Sequence, residues 1–196
     1  MEPGETKFES HVLLSEHGIS QAEFDTTQLE WDLLREIAQD HITSLPSLQS
    51  AANYISQRLQ TVNGIHSLKV RVKNYRHLIA KVIRKKIDQP DLQFNSISYR
   101  DLITDLIGLR ALHLFKDEWL PIHNFVIDTW ELHEQPKAYI RAGDPEHLLQ
   151  GFRDAKCEVS VHPFGYRSIH LPSGGTGCRS SHLEYQAFCL PRSAIL

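Results

Sequence analysis

Three short polar motifs in this sequence contain residue types that bind and transfer phosphate groups. They are Arg71-Val-Lys73, Thr104-Asp105-Leu-Ile-Gly108-Leu-Arg110 and Gly165-Tyr166-Arg167-Ser168-Ile-His170. Each motif adjoins a short apolar run that is typical of a strand or helix, so rigid elements could aim all three into one cleft. Cations suit phosphate, a carboxylate suits a divalent ion, and an aromatic ring suits a base. The motifs together predict a nucleotide site.

A basic block surrounds the first motif. From Lys69 to Lys86 the sequence has eight basic residues and no acidic one, whereas Glu2 to Asp40 holds ten acidic residues against two basic ones. A local excess of positive charge favours a polyanionic ligand. A solvated helix face is the alternative interpretation of the same composition.

The first third of the chain predicts an arm followed by helices. Residues 1–26 show no sustained period and predict a flexible or loosely docked acidic arm. Residues 27–64 have apolar positions at helical spacing and predict a pair of N-terminal helices packed on the domain. Pro46 ends the first helix in this interpretation, and Ser47 caps the second.

Residues 65–186 predict the core domain. The apolar pattern alternates between strand and helix periods, which indicates an α/β (α+β) fold with a central mixed sheet flanked by helices. The run from Leu106 to Phe115 is nearly continuous and predicts a central strand. The segment from Pro172 to Ser181 is small and polar, which argues against a strand there.

The composition also narrows the class of protein. No segment approaches the roughly 18 apolar residues of a membrane helix, and the N-terminus lacks the pattern of a signal peptide. Cys157, Cys178 and Cys189 are odd in number and lack C-x-x-C spacing, so we expect free thiols. These features predict a cytoplasmic protein without a membrane partner.

Five motifs occur in the order that is found in the synthetase domain of the RelA/SpoT family. Besides the three above, they are the helix Lys81-Val-Ile-Arg84-Lys85 and the pair Glu184-x-Gln186. Over residues 50–186 the chain resembles the small, synthetase-only members. The resemblance implies a nucleotidyltransferase-like synthetase fold. It also implies a (p)ppGpp synthetase, which transfers the β,γ-pyrophosphate of ATP to the 3′-hydroxyl of GDP or GTP and releases AMP.

The resemblance implies a role for each matching residue on the ATP side. The cations that would bind the ATP phosphates are Arg71, Lys73, Lys81 and Arg84. Asp105 and Glu184 would hold Mg²⁺, and Glu184 could also help to deprotonate the attacking hydroxyl.

The resemblance assigns the acceptor side in the same way. Tyr166 would stack on guanine, and His170 would contact a phosphate. The remaining matching positions would support the strands that carry the site, and they are Gly108, Arg110, Arg167, Ser168 and Gln186. Many small relatives form homo-oligomers, which makes a homo-oligomer an expectation here as well.

The sequence also departs from the family pattern. Residues 187–196 lack the usual closing helices, which suggests a truncated chain or a change of reading frame after His170. We expect no hydrolase site, because the hydrolase domain of bifunctional relatives has no room in the N-terminal residues. Two alternatives to the guanosine synthetase therefore stay open. One is a catalytically impaired domain that binds nucleotides and acts as a regulator, and the other is an enzyme with a different acceptor, such as the 3′ end of tRNA or an adenine nucleotide.

Overall fold

The computed structural model describes residues 9–115, 118–132, 134–175 and 178–187, with the backbone alone from residue 172 onward. In these residues the helices, numbered in chain order, are α1 Ser10–Glu16, α2 Gln21–Thr26, α3 Trp31–Gln60, α4 Tyr75–Asp88, α5 Tyr99–Leu102, α6 Trp119–Thr129 and α7 Glu146–Asp154. The strands are β1 Ser67–Val72, β2 Ile107–His113, β3 Glu131–Leu132, β4 Lys137–Ile140, β5 Glu158–Val161, β6 Ser168–Gly175 and β7 Cys178–Ala187.

The seven described strands form one mixed sheet. Its order is β1-β2-β7-β6-β4-β5, and β3 pairs with β6 outside this path. The pairs β2–β7 and β4–β5 are parallel, whereas β1–β2, β6–β7, β4–β6 and β3–β6 are antiparallel. The predicted α/β fold with a central mixed sheet is thereby confirmed.

Strand β2 has one face that is buried in the core and one face that is open. Its residues alternate between burial and exposure, as expected for a strand packed on one side only. Helix α3 packs against β1 and β2, and the positions of β2 that turn inward are Ile107, Leu109, Ala111 and His113. Gly108 and Arg110 therefore lie on the opposite face, together with their partners in β1, Arg71 and Lys69.

The N-terminal segment differs from the predicted loose arm. Residues 10–26 form α1 and α2, and their apolar side chains enter the core, namely Leu13, Leu14, Ile19 and Phe24. Ser20 and Glu23 form a capping box that fixes the start of α2. Two helices this short show little period in sequence, so tertiary burial decides their structure.

The predicted helix pair is also wrong, because α3 runs for 30 residues with Pro46 inside it and Ser47 in its middle. Its buried residues lie on both sides of Pro46 and continue one stripe, so packing against β1 and α4 outweighs the lost backbone hydrogen bond. Nearby hydroxyls bond to carbonyls four residues earlier, from Thr43 to Gln39, from Ser44 to Asp40 and from Ser50 to Pro46.

The prediction against a strand between residues 172 and 181 is wrong as well. Strand β6 continues to Gly175, and β7 begins at Cys178 and pairs antiparallel with it. Further pairing, with β3 at Ser173 and Gly174 and with β2 from Ser181 onward, outweighs the weak strand propensity of small polar residues. The unusual C-terminal tail, apart from Ala187, lies outside the described residues. Among the described helices, none combines the length and apolarity needed to cross a bilayer.

Candidate active site

Arg71 and Gly108 form a cross-strand pair on the open face of the sheet. A Cβ atom at position 108 would lie 3.3 Å from Nε and 3.4 Å from Cγ of Arg71, closer than an ordinary van der Waals contact. The Arg71 side chain thus extends across β2 in the space that the glycine leaves. Two residues that the sequence assigned to separate roles form one structural unit.

The end of the sheet at which β1 ends and β2 begins brings together three side chains, those of Lys73, Asp105 and Lys81. We call them the Lys–Asp–Lys cluster. The ammonium groups of Lys73 and Lys81 lie 3.0 and 2.8 Å from the same carboxylate oxygen, Oδ2 of Asp105. The exposed fractions of the three side chains are 11%, 24% and 40% for Lys73, Asp105 and Lys81. The structure therefore brings together three of the predicted site residues.

Local structure explains why both lysines reach Asp105. Lys73 follows the last residue of β1, and its backbone N–H donates to the carbonyl of Leu106 at 2.8 Å. The next residue, Asn74, caps α4 by accepting a hydrogen bond from the N–H of Arg76 at 2.8 Å. The helix then presents Lys81 two turns later, on the side that faces Asp105.

The charges of the Lys–Asp–Lys cluster do not balance. Burial raises the pKa of Asp105, but the hydrogen bonds and charges of Lys81 and Lys73 outweigh it, so that the pKa lies below its usual value. Burial lowers the pKa of Lys73. Asp105 raises that pKa, but it also pairs with Lys81 and compensates only part of the desolvation of Lys73. Two ammonium groups on one carboxylate leave a net positive charge, which suits a polyanion.

The second oxygen of Asp105 is the group most able to bind a cation. Oδ1 is buried and has no hydrogen-bond partner in the described part of the chain. A buried carboxylate oxygen without a partner is costly unless a ligand or ion completes its coordination. The described residues contain no group of three or more His, Cys, Asp or Glu side chains that could enclose a metal. Asp105 supplies the one carboxylate of the Lys–Asp–Lys cluster, and a carboxylate is a ligand that divalent ions prefer.

The rest of the basic block has other contacts. Arg84, a predicted phosphate ligand, donates from Nη2 to the carbonyl of His17 at 2.5 Å. Arg76 forms an ion pair with Glu16 at 2.7 Å. Lys85 donates to the carbonyl of Leu102 at 2.7 Å. The block is therefore neither a uniform phosphate cradle nor a simple solvated face, because several of its members fasten neighbouring segments to α4.

A row of charged positions crosses the open face of the sheet, from β1 to β5. Cross-strand neighbours point to the same face, so the register defines the row. Its members are Lys69, Arg110, Glu184, His170, Lys137 and Glu158. The backbone of β7 places Glu184 between Arg110 and His170, and Gln186 between Leu112 and Ser168. Glu184 thus lies in the middle of the sheet and not at the end of the sheet where Asp105 lies. The side chain of Glu184 is outside the described part of the structure.

The third motif begins with a tight turn. Gly165 has a φ of +67°, which favours glycine, and its N–H donates to the carbonyl of His162 at 3.0 Å. The turn brings the ring of Tyr166 over that of His162, with 3.5 Å between centroids. Phe164 at the tip is 86% exposed and Tyr166 is 37% exposed. Both rings can therefore be reached by a ligand.

A chain of ring contacts continues from this turn into the sheet. We call Tyr139, His162, Tyr166 and His170 the aromatic group. The centroid of Tyr139 lies 5.2 Å from that of His162 and 5.0 Å from that of His170, both edge to face. His170 also lies within 2.9 Å of Ser168, from Nε2 to Oγ. The predicted acceptor residues Tyr166 and His170 therefore belong to one continuous surface.

Arg167 has a structural contact that its sequence context did not predict. Its guanidinium binds both carboxylate oxygens of Asp144, and the side chains are 12% and 2% exposed. Asp144 also accepts from the N–H of Arg141 at 2.9 Å. This buried pair fastens the turn of the third motif to the loop between β4 and α7. Sequence reasoning missed Asp144, although its Gly-Asp-Pro context is typical of a turn with an accepting side chain.

The chain is similar to known proteins in sequence and in fold. The family model described as the region found in RelA / SpoT proteins matches residues 70–187. A solved structure that resembles the chain is that of the small alarmone synthetase 1 from Bacillus subtilis bound to its product pppGpp. It has 17% sequence identity and a TM-score of 0.45, and the match covers 73% of this chain and 69% of that one. No curated protein matches the sequence.

Proposed function

The chain belongs to the RelA/SpoT family, and from that premise we propose that it transfers the β,γ-pyrophosphate of ATP to the 3′-hydroxyl of GDP or GTP. The observation that carries the proposal is the Lys–Asp–Lys cluster. It combines two ammonium groups with a buried carboxylate, one oxygen of which has no hydrogen-bond partner among the described residues. Triphosphate chemistry needs cations for the phosphate oxygens and a carboxylate for a metal in the same place.

On the donor side, Lys73 and Lys81 would exchange part of their contact with Asp105 for contacts with ATP phosphates. Arg71 would add a forked donor, held in place by Gly108. Because negative charge builds up on the AMP phosphate as the bond to pyrophosphate breaks, fixed cations at this position stabilise the transition state. Arg84 would join them only after releasing the carbonyl of His17.

The carboxylate fits the Mg²⁺ ion that the family resemblance implies. Oδ1 of Asp105 would be its main protein ligand, and phosphate oxygens would supply most of the others. When bound, such an ion neutralises phosphate charge and aligns the phosphates for in-line attack. We assign Glu184 chiefly to the acceptor hydroxyl, because the register of β7 places it beside Arg110 and His170.

On the acceptor side, Tyr166 would stack on the guanine base. Its ring is accessible, and Gly165 fixes its direction. His170, held by Ser168, would contact a phosphate or the ribose of the same nucleotide. The row across the sheet supports this assignment, since it connects these residues with Arg110 near the donor side.

The test is a transfer assay with the purified chain, Mg²⁺, γ-³²P-labelled ATP and either GDP or GTP, with products resolved by chromatography. We expect label in a guanosine tetra- or pentaphosphate. The Asp105→Ala variant should give none, because it loses both the metal ligand and the partner of two lysines.

The other outcomes separate the alternatives. Binding of ATP and GDP by calorimetry without any labelled product would contradict the synthetase and favour a nucleotide-binding regulator. Label that appears in tRNA or in an adenine nucleotide, but not in guanosine products, would identify a different acceptor.

A further inference from the structure

We propose that His41, on helix α3, is a positioning residue for the Lys–Asp–Lys cluster, a role that rests on the proposed function. His41 does not reach the proposed substrate site through its own side chain. It acts on the backbone of Lys73.

The contact is a single hydrogen bond in the core. His41 is fully buried, and its Nε2 lies 2.7 Å from the carbonyl oxygen of Lys73. Because a carbonyl can only accept, Nε2 must carry the proton. Burial lowers the pKa of His41, which agrees with a neutral ring of this tautomer.

The other ring nitrogen shows what the ring is used for. Nδ1 of His41 is buried and has no hydrogen-bond partner in the described structure. An apolar side chain would fill the same space in α3 without that cost. The hydrogen bond that Nε2–H donates to Lys73 is thus what a histidine provides at this position and a leucine could not.

The two peptide groups that flank the Cα of Lys73 are each held by a hydrogen bond. The Lys73 carbonyl accepts from His41, and the Lys73 N–H donates to the carbonyl of Leu106, the residue after Asp105. Asn74 then starts the helix that carries Lys81. A change in the backbone torsion angles at Lys73 would therefore displace both lysines relative to the carboxylate that they share.

The residue before His41 holds the other side of the cluster. Oδ2 of Asp40 accepts from the hydroxyl of Tyr99 at 2.7 Å and from Nη2 of Arg100 at 2.5 Å. These two residues belong to α5, which leads directly into the segment with Asp105. Adjacent residues of one helix thus hold Lys73 through His41 and the approach to Asp105 through Asp40.

The experiment compares His41→Phe, which removes the donor, with His41→Gln, whose amide can donate at a similar reach. Misplacing catalytic groups by about 1 Å can cost on the order of 100-fold in rate. We therefore expect the Phe variant to lower kcat by roughly 10- to 100-fold with little change in the KM of GDP. The Gln variant should recover most of the loss.

A second measurement needs no transferase activity. Lys73 is 11% exposed, so an amine-reactive reagent should label it slowly in the native chain. Quantified by peptide mass spectrometry, its labelling should rise several-fold in the Phe variant and stay native in the Gln variant. Labelling of the exposed Lys69 should not change in either. If the chain makes no guanosine product, this measurement still decides whether His41 positions Lys73.

Two results would overturn the proposal. One is a Phe variant with native kcat and native Lys73 labelling. The other is an equal loss in both variants with faster labelling of Lys86, a half-buried lysine away from the cluster, which would mean general destabilisation. If the Phe variant does not fold, His41→Leu takes its place in the same comparison.

Discussion

The two halves of the sheet differ in the kind of groups that they present at the candidate site. On the β1–β2 half, Lys73 and Asp105 are largely buried and pair with each other in the Lys–Asp–Lys cluster, and α3 and α4 hold the backbone there. On the β4–β6 half, the described contacts near the site are mainly between rings, and the turn that carries Tyr166 is open to solvent.

The difference concerns preorganisation. Phosphate charge is best stabilised by cations that are already held close to where the phosphates bind, and the Lys–Asp–Lys cluster holds two ammonium groups in this way. A base can stack on whatever ring surface is accessible, and Tyr166 already rests on His162. Substitutions in the first half should therefore reduce the rate, and substitutions in the second should weaken acceptor binding.

The largest effect should come from Asp105→Asn. The amide keeps the shape of the side chain but cannot neutralise two lysines or bind a cation as a carboxylate does. We expect kcat for pyrophosphate transfer to fall by about 10²- to 10³-fold. Asp91→Asn, in an exposed turn, is the matched control and should keep native activity. Activity within threefold of the native value in the Asp105 variant would remove the cluster from the mechanism.

The next effect should come from Gly108→Ala. The new methyl group would press on Arg71 at 3.3 Å from Nε, so the arginine must move away from its position over β2. We expect the KM for ATP to rise by about tenfold, the loss of one charge-assisted contact of roughly 1.5 kcal/mol. Gly151→Ala is a control, since its methyl group would meet Trp119 at an ordinary 3.6 Å. An unchanged KM in the Gly108 variant would mean that Arg71 does not bind ATP.

Tyr166→Ala tests the acceptor half. Loss of a stacking ring is worth about 1 to 3 kcal/mol, so the KM for GDP should rise by roughly 5- to 100-fold while the KM for ATP stays constant. Phe164→Ala, at the more exposed tip of the same turn, should change the KM for GDP less than twofold. A loss of kcat as large as that of the Asp105 variant would break the division between the two halves.

The smallest effect concerns the pH dependence of stability. Burial lowers the pKa of His41, so the unfolded chain binds a proton there more readily than the folded one. The stabilisation from a neutral His41 is complete above its unfolded pKa of about 6.5, and it is lost as the pH falls below that value. Among the charged groups that act on this ring, Asp40 raises the pKa of His41, and Arg100 and Lys73 lower it.

His41→Gln should therefore flatten the decline in the free energy of unfolding between pH 7 and pH 5, measured by urea denaturation. His147→Gln, on the exposed side of α7, controls for loss of a histidine as such. An unchanged pH slope in the His41 variant would show that this ring does not stay neutral on folding.

The sequence predicted local elements well where one period dominates. Strand β1, helix α4 and strand β2 agree with their patterns, and the predicted site residues Arg71, Lys73, Lys81 and Asp105 lie in or beside these elements. The prediction failed where distant contacts override local preference. Pro46 lies inside a helix because α3 is packed along its length, and residues 10–26 fold because they have a core to enter.

The partners of site residues were also beyond local reasoning. Arg167 pairs with Asp144, 23 positions earlier, and no periodic pattern connects them. The one signal for His41 was its place on the apolar stripe of its helix, four residues after Ile37. A polar residue at such a position indicates a buried hydrogen bond, but the sequence does not identify the partner in that bond.

The place of β7 has a kinetic consequence. Among the described strands it comes last in the chain, yet it lies in the middle of the sheet, between β2 and β6. Before it pairs, the sheet is two separate ribbons, one with Arg71 and Asp105 and the other with Tyr166 and His170. Contacts between residues so distant in sequence form slowly. A nascent chain would therefore hold both halves of the site before Glu184 joins them, and the site would become complete only in the last step of sheet assembly.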